Sequence, residues 1–201
     1  MKKILLVVDM QNDFISGALG SNEAKAIVEN ATERVKDFDG EVIFTRDTHF
    51  ENYEQTQEGR KLPVRHCIKD TYGWEVCDEL KTLPVYEKSR KIDKLTFGSD
   101  ELAVFVKEEK PDEVYLLGLC TDICVISNAM LVKAFSPETE VFSVFSPVFP
   151  SPYLLVRAVG AFPTLSASVF AHAHSCGNLY SLRCPAALSQ TKTIWQICMR
   201  Q

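Results

Sequence analysis

MKKILLVVDMQNDF, residues 1–14, carries five apolar residues in succession (4–8), closed by an acid at Asp9. A run of that length without alternation, rich in Val, Ile and Leu, predicts a strand buried on both faces of a parallel sheet. The leading lysines could open a signal peptide. The apolar run stops after five residues, too short for a signal core or a membrane span.

Outward from this stretch, three more short apolar segments are expected as buried strands: 41–45, 83–87 and 114–119. Between the first two, SNEAKAIVENATERVKDF places Ala24, Ile27, Val28, Ala31 and Val35 at helical spacing, with Ser21 or Asn22 available as a cap. A second helix is expected at 99–109, closed by Pro111, and a third from about Asp122. Strands alternating with helices predict an α/β fold of three layers, α/β/α, around a mostly parallel sheet of five to six strands. In such sheets, ligands bind beyond the carboxyl ends of the strands. The connection 46–80 shows no clear periodicity, and loops of that length are usually functional.

Composition narrows the function. The chain has 201 residues, a net charge of −5 and an apolar fraction of 46%. That size suits one domain, and an acidic balance argues against nucleic acid as a partner. Seven cysteines, an odd number without a regular framework, are expected as reduced thiols in a cytoplasmic protein.

The C-terminal part differs. Residues 141–201 contain no Asp or Glu, four Lys and Arg, five of the nine prolines and eight serines. Average composition would put about seven acids there. We therefore divide the chain into 1–141, a catalytic-type domain, and 142–201, an atypical segment. The segment is read either as the frameshifted end of the same domain or as a genuine, unusual terminus.

Several polar residues follow directly on the expected strands. Asp9 could accept a proton at the mouth of a site, with Asp13 its nearby competitor. Lys94, in KIDKLTFGS, could favour a thiolate, though Lys88 and Lys91 lie close by. In GLCTDICVISNAM (118–130), Cys124 sits at an expected helix start, where helix N–H groups favour an anion; Cys120 and Cys124 are equally compatible with core packing. Asp47 and His49, in RDTHF, can converge from extended chain, and His66 can return from the long loop. Asp/His/His suits Zn²⁺, Mn²⁺ or Fe²⁺, with Glu58 as a further oxygen donor. His172 and His174 have metal-like spacing but fall in the atypical segment.

Together, LLVVDMQNDF, TRDTH, RHC, KLTFGS and GLCTDICV resemble the isochorismatase-like cysteine hydrolases, and among them the nicotinamidase branch, over about residues 3–141. The resemblance implies that fold, with a further strand beginning at EVFSV (140–144). It implies a catalytic Asp9, Lys94 (or Lys91, if the loop is aligned with a gap) and nucleophile Cys124. It puts a cis peptide between Leu119 and Cys120 and an oxyanion site at the N–H groups of Cys120 and Cys124. It assigns a divalent metal, Zn²⁺ first, to Asp47, His49, His66 and Glu58, and ring packing to Phe14, with Trp74 and Phe50 as weaker candidates. The activity implied is hydrolysis of nicotinamide through a thioester, within NAD salvage. Another small amide or N-carbamoyl compound is the alternative substrate, and isochorismate is disfavoured because that branch does not need the thiol. A catalytically impaired member is the reading if the altered tail disturbs the fold. The expected partner is a small-molecule amide, without nucleic acid or membrane; a homo-oligomer stays open.

Overall fold

The structure, a computed structural model, describes residues 1–144. The segment from 145 onward, with His172 and His174, lies outside the described residues.

Among them, five strands form one sheet in the order β3-β2-β1-β4-β5, with every neighbouring pair parallel. The strands are β1 (Lys3–Val8), β2 (Glu41–Asp47), β3 (Arg90–Lys94), β4 (Glu113–Gly118) and β5 (Glu140–Ser143). The helices are α1 (Asn12–Ile15), α2 (Asn22–Lys36), α3 (Gln57–Lys61), α4 (Asp78–Lys81), α5 (Pro84–Lys88), α6 (Asp100–Glu109) and α7 (Ile126–Phe135). The sheet with helices on both faces is the expected three-layer α/β/α arrangement.

β1 is the centre of the sheet, and its residues 4–8 are all fully buried. Ile4, Leu6 and Val8 point to one face, against Leu102, Val106 and Val132 of α6 and α7. Leu5 and Val7 point to the other, against Val28, Ala31 and Val35 of α2. The period-2 geometry of a strand thus feeds two apolar layers from one uninterrupted apolar run. α2 begins as expected, with the Ser21 hydroxyl accepting the Ala24 N–H at 3.0 Å. Ser99 caps α6 in the same way through the Leu102 N–H.

One strand expectation fails. Residues 83–87 are not a strand: α5 occupies Pro84–Lys88, and the strand follows it at Arg90–Lys94. Pro84 at the first helical turn has its φ preset and lacks only an N–H that would be unpaired there. β3 is an edge strand whose buried positions are Ile92 and Lys94, so its inward face does not read as apolar.

The order reverses beside β1. From β1 the chain crosses to β2 and β3 on one side, then returns to β4 and β5 on the other. The crevice at the carboxyl ends of β1 and β4 is therefore a topological switch point, where sheets of this kind bind ligands. Gly118 closes β4 at this crevice with φ 152°. A Cβ there would lie 2.0 Å from the Val8 carbonyl oxygen, which accepts the Leu119 N–H at 3.1 Å. Only glycine supports both the backbone angle and the approach.

Gly118→Ala is expected to cost about 3 kcal/mol or more of stability, the range of a strained core substitution. Urea unfolding with unchanged m-value measures it; a loss within about 0.5 kcal/mol, typical of neutral surface changes, would contradict the assigned role.

Candidate active site

Four strand ends supply the site. Asp9 follows β1, Asp47 ends β2, Lys94 ends β3, and the turn bearing Cys124 follows β4. All four side chains are buried.

Lys94 is the hub. Its Nζ lies 2.7 Å from Asp9 Oδ2, 3.3 Å from Asp47 Oδ1 and 3.8 Å from Cys124 Sγ, and donates to the Thr96 carbonyl at 3.3 Å. Burial alone would discharge a lysine, but Asp9 and Asp47 outweigh it and hold the ammonium well above the usual lysine range. Lys91 is not at the site: its Nζ donates to the carbonyls of Tyr86 and Glu87 on α5.

Asp9 has φ 51°, an unusual angle for a non-glycine residue that turns its carboxyl inward at the strand end. Thr45 Oγ1 donates to its Oδ1 at 2.7 Å, leaving Oδ2 to Lys94. Burial raises the carboxyl above its ordinary range, with Asp47 adding to the effect and Lys94 opposing it. Asp9 is therefore a buried carboxyl on which burial and the Lys94 ammonium pull in opposite directions. Asp13, its competitor, does structural work instead, accepting the Cys67 N–H at 2.7 Å and the Ala18 N–H at 3.2 Å.

Cys124 lies in a π-helical turn, Thr121–Val125, which precedes α7. Such turns recur at functional sites. The expected lowering of its thiol by helix N–H groups is not seen. A hydrogen bond with the Cys120 thiol, then burial and Asp9, push it up, and Lys94 opposes them. The Cys124 N–H is given to the Cys120 carbonyl at 2.9 Å. That bond also occupies one of the two expected oxyanion donors.

The expected cis bond between Leu119 and Cys120 is corrected too, since the described residues contain no cis peptide. Gly118 at φ 152° and Cys120 in the left-handed region (φ 54°, ψ 56°) turn the chain with trans bonds throughout. A left-handed non-glycine residue costs about 1–2 kcal/mol, less than the about 3 kcal/mol of a non-proline cis bond.

The second cluster shares Asp47. Its Oδ2 lies 3.1 Å from His49 Nε2 and 3.7 Å from His66 Nε2, while Glu58 Oε1 is 3.7 Å and 3.8 Å from the same two nitrogens. Ligand atoms of Asp47, His49 and His66 all fall within 4.8 Å of one another. The long loop is fixed to achieve this: the His49 N–H donates to the Cys67 carbonyl, and the Lys69 N–H to the His49 carbonyl.

The donor chemistry fits a divalent ion. Burial works against the Asp47 charge, yet Lys94, His49 and His66 hold its pKa at about 2, so it stays ionised. Burial pushes His66 down, which keeps it neutral. Its Nδ1 lies 2.8 Å from the Val64 carbonyl, which can only accept, so Nδ1 carries the hydrogen and Nε2 presents a lone pair. His49 Nε2 is buried facing Asp47 Oδ2 at 3.1 Å and Glu58 Oε1 at 3.7 Å, and these carboxylates raise the imidazole against the pull of burial, a concentration of negative charge that suits a cation. Burial and the Asp47 charge also raise Glu58, with His49 and Lys94 opposing them.

Phe14 is buried beside the second cluster. Its ring centroid is 5.6 Å from that of His66, and it packs with Leu119, Cys120 and Trp74. Trp74 is tied down by its indole N–H to Thr48 Oγ1 at 2.8 Å, whereas Phe50 is half exposed.

Three positions escaped the sequence reading. Gln11 grips Asp47 at both backbone atoms, donating to its carbonyl at 2.9 Å and accepting its N–H at 2.7 Å. Thr45 and Asn128 are the others. Gln11 and Asn128 stand inside the stretches quoted above, and a polar amide in a buried stretch was the available signal.

The described residues contain no helix long and apolar enough to cross a membrane. The Isochorismatase domain matches residues 3–144. The chain is 27% identical to the nicotinamidase of Saccharomyces cerevisiae, over 69% of this chain and 85% of that protein. It is similar to the zinc-complexed pyrazinamidase of Pyrococcus horikoshii (29% identity, TM-score 0.59, covering 71% of this chain and 83% of that one). It is equally similar to the N-carbamoylsarcosine amidase of Thermoplasma acidophilum (29% identity, TM-score 0.60, 72% and 82%). With the all-parallel sheet and its cluster at the switch point, this match over most of the described chain makes the protein a member of the isochorismatase family.

Proposed function

We propose that this amide hydrolase acts on nicotinamide, with Cys124 as nucleophile, Asp9 as proton carrier and Lys94 as the cation that keeps both in register. The observation that carries the reading is the contact of one buried ammonium with Asp9, at 2.7 Å, and with the Cys124 sulfur, at 3.8 Å.

Asp9 takes the Cys124 proton, and the thiolate remains beside the Lys94 ammonium. The sulfur attacks the amide carbonyl, and the charge that develops on oxygen is received at the Cys120–Cys124 turn. The Cys120 N–H is one donor; the Cys124 N–H joins it on exchanging its bond to the Cys120 carbonyl. Asp9 returns the proton to the leaving nitrogen as the tetrahedral intermediate collapses to a thioester and ammonia. Asp9 then removes a proton from water as it attacks the thioester, and the thiol is restored with release of the acid. Asp9 suits this traffic because burial favours its protonated form while Lys94 favours its ionised one.

Asp47, His49, His66 and Glu58 would hold a divalent ion, Zn²⁺ first and Mn²⁺ or Fe²⁺ as alternatives, which supplies a Lewis-acidic anchor for a pyridine nitrogen. Phe14, beside His66 and Cys120, lines the space where the ring would lie. Cytoplasmic location and a place in NAD salvage follow from the same reading.

The similarity to an N-carbamoylsarcosine amidase supports a second reading, in which the substrate is an N-carbamoyl compound and the ion is dispensable. Chelation separates the two.

Cys124→Ala is expected to lower ammonia release from nicotinamide by at least about 10⁴-fold, the scale of a lost nucleophile, with binding retained. Near-full turnover would remove the thioester mechanism.

Because Asp47 also touches Lys94, His66→Ala isolates the ion site. It should lower bound metal in elemental analysis and raise KM at least about tenfold, with kcat less affected. Full metal content, or chelator-insensitive turnover of nicotinamide, would favour the second reading.

A further inference from the structure

We propose that Asn128 is a positioning residue that braces the Cys124 turn against the loop following Lys94, so that the sulfur and the ammonium keep their separation. This rests on the reading of Cys124 as nucleophile.

Asn128 lies on α7 and is fully buried. Val125 and Val132, three residues before it and four after, belong to the apolar layer between α6, α7 and the sheet. An amide is a poor choice for such a place: asparagine is a weak helix former, and its polar atoms are costly to bury unless paired. Here each is paired. Nδ2 donates to the Cys124 carbonyl at 2.8 Å and to the Phe97 carbonyl at 3.2 Å, and Oδ1 accepts the Ser99 N–H at 3.0 Å. One planar group thus joins the nucleophile's own backbone to two points on the β3–α6 connection.

That connection begins at Lys94. The ammonium is held from its far side by the Thr96 carbonyl, and Thr96 Oγ1 donates to the Gly98 carbonyl at 2.8 Å. Residues 96–99 therefore form a bonded unit, fixed at one end to Lys94 and at the other to Asn128. The unit also lies close against α7 at Gly98, where a Cβ would run into Leu131 and Ser127. Asn128 touches no reacting atom. It acts through the 3.8 Å separation of Sγ and Nζ, and a displacement of about 1 Å in such a pair can cost about 10²-fold in rate.

Asn128→Ala removes all three bonds. Asn128→Thr can restore one, because a helical threonine hydroxyl donates to the carbonyl four residues back, here that of Cys124. The full chain, loaded with Zn²⁺, is assayed for kcat and KM with nicotinamide and for unfolding in urea. The rate of Cys124 alkylation by iodoacetamide is followed against pH by peptide mass spectrometry, which needs no substrate. Asp9, Lys94 and Cys120 are the charged or titratable groups that act on the thiol.

The expected result for Asn128→Ala is a kcat about 100-fold lower, with KM within about threefold. The alkylation midpoint should move upward by about one unit, as the lysine's hold on the thiolate weakens. Asn128→Thr should fall between alanine and wild type in both readouts. A folded Asn128→Ala protein with wild-type kcat and midpoint would overturn the proposal, even if its urea midpoint fell. If the alanine variant does not fold, Asn128→Thr decides: wild-type values overturn the proposal, and a kcat at least about tenfold lower with a raised midpoint supports it. Should the wild type fail to hydrolyse nicotinamide, the proposed substrate falls, and the alkylation midpoints alone still decide the role of Asn128.

Discussion

One buried cation, the Lys94 ammonium, determines how the rest of the site can be built. Removing a lysine from water costs several kcal/mol, and the cost is met only when charged partners and hydrogen bonds surround it. Here Asp9, Asp47 and the Thr96 carbonyl do so, with the Cys124 sulfur completing the shell. Two acids facing one cation cannot both be comfortably ionised. The environment separates them: Asp47 stays ionised with a pKa of about 2, and Asp9 is raised. That separation suits the roles proposed for them, an anion toward the histidines and a proton carrier for the thiol.

The fold explains why these groups meet. Asp9, Asp47, Lys94 and the cysteine turn lie at the carboxyl ends of four adjacent strands, and the chain reverses its order between β1 and β4. A parallel sheet puts such ends on one edge, and the reversal opens a crevice there. Gly118 lets the β4 turn come against Val8, and Gln11 fixes Asp47 by its backbone. Asp47 then serves both clusters, one oxygen toward Lys94 and the other toward His49 and His66.

Much of this was legible in the residues. The apolar run of β1 announced a buried parallel strand, spacing and a cap announced α2, and Pro111 marked the end of α6. The quoted motifs hold Asp9, Asp47, His49, His66, Lys94 and Cys124, which the structure brings together. What was hidden had physical causes. β3 carries a buried lysine where an apolar residue would be expected, so the strand assignment slid onto the apolar residues that form α5. The trans turn at Cys120 depends on backbone angles that residue identity does not encode. Gln11, Thr45 and Asn128 act through hydrogen bonds to partners distant in sequence, which periodicity does not report. For the acid-free tail, composition alone signals a departure from the rest of the chain.

The covalent role of Cys124 is the claim on which the chemistry turns. Rapid acid quenching of the metal-loaded protein with nicotinamide, followed by peptide mass spectrometry, tests it directly. The account predicts a nicotinoyl adduct on the peptide carrying Cys124, formed and consumed during turnover. Ammonia release with no adduct there at any quench time, or an adduct confined to another cysteine, would contradict it.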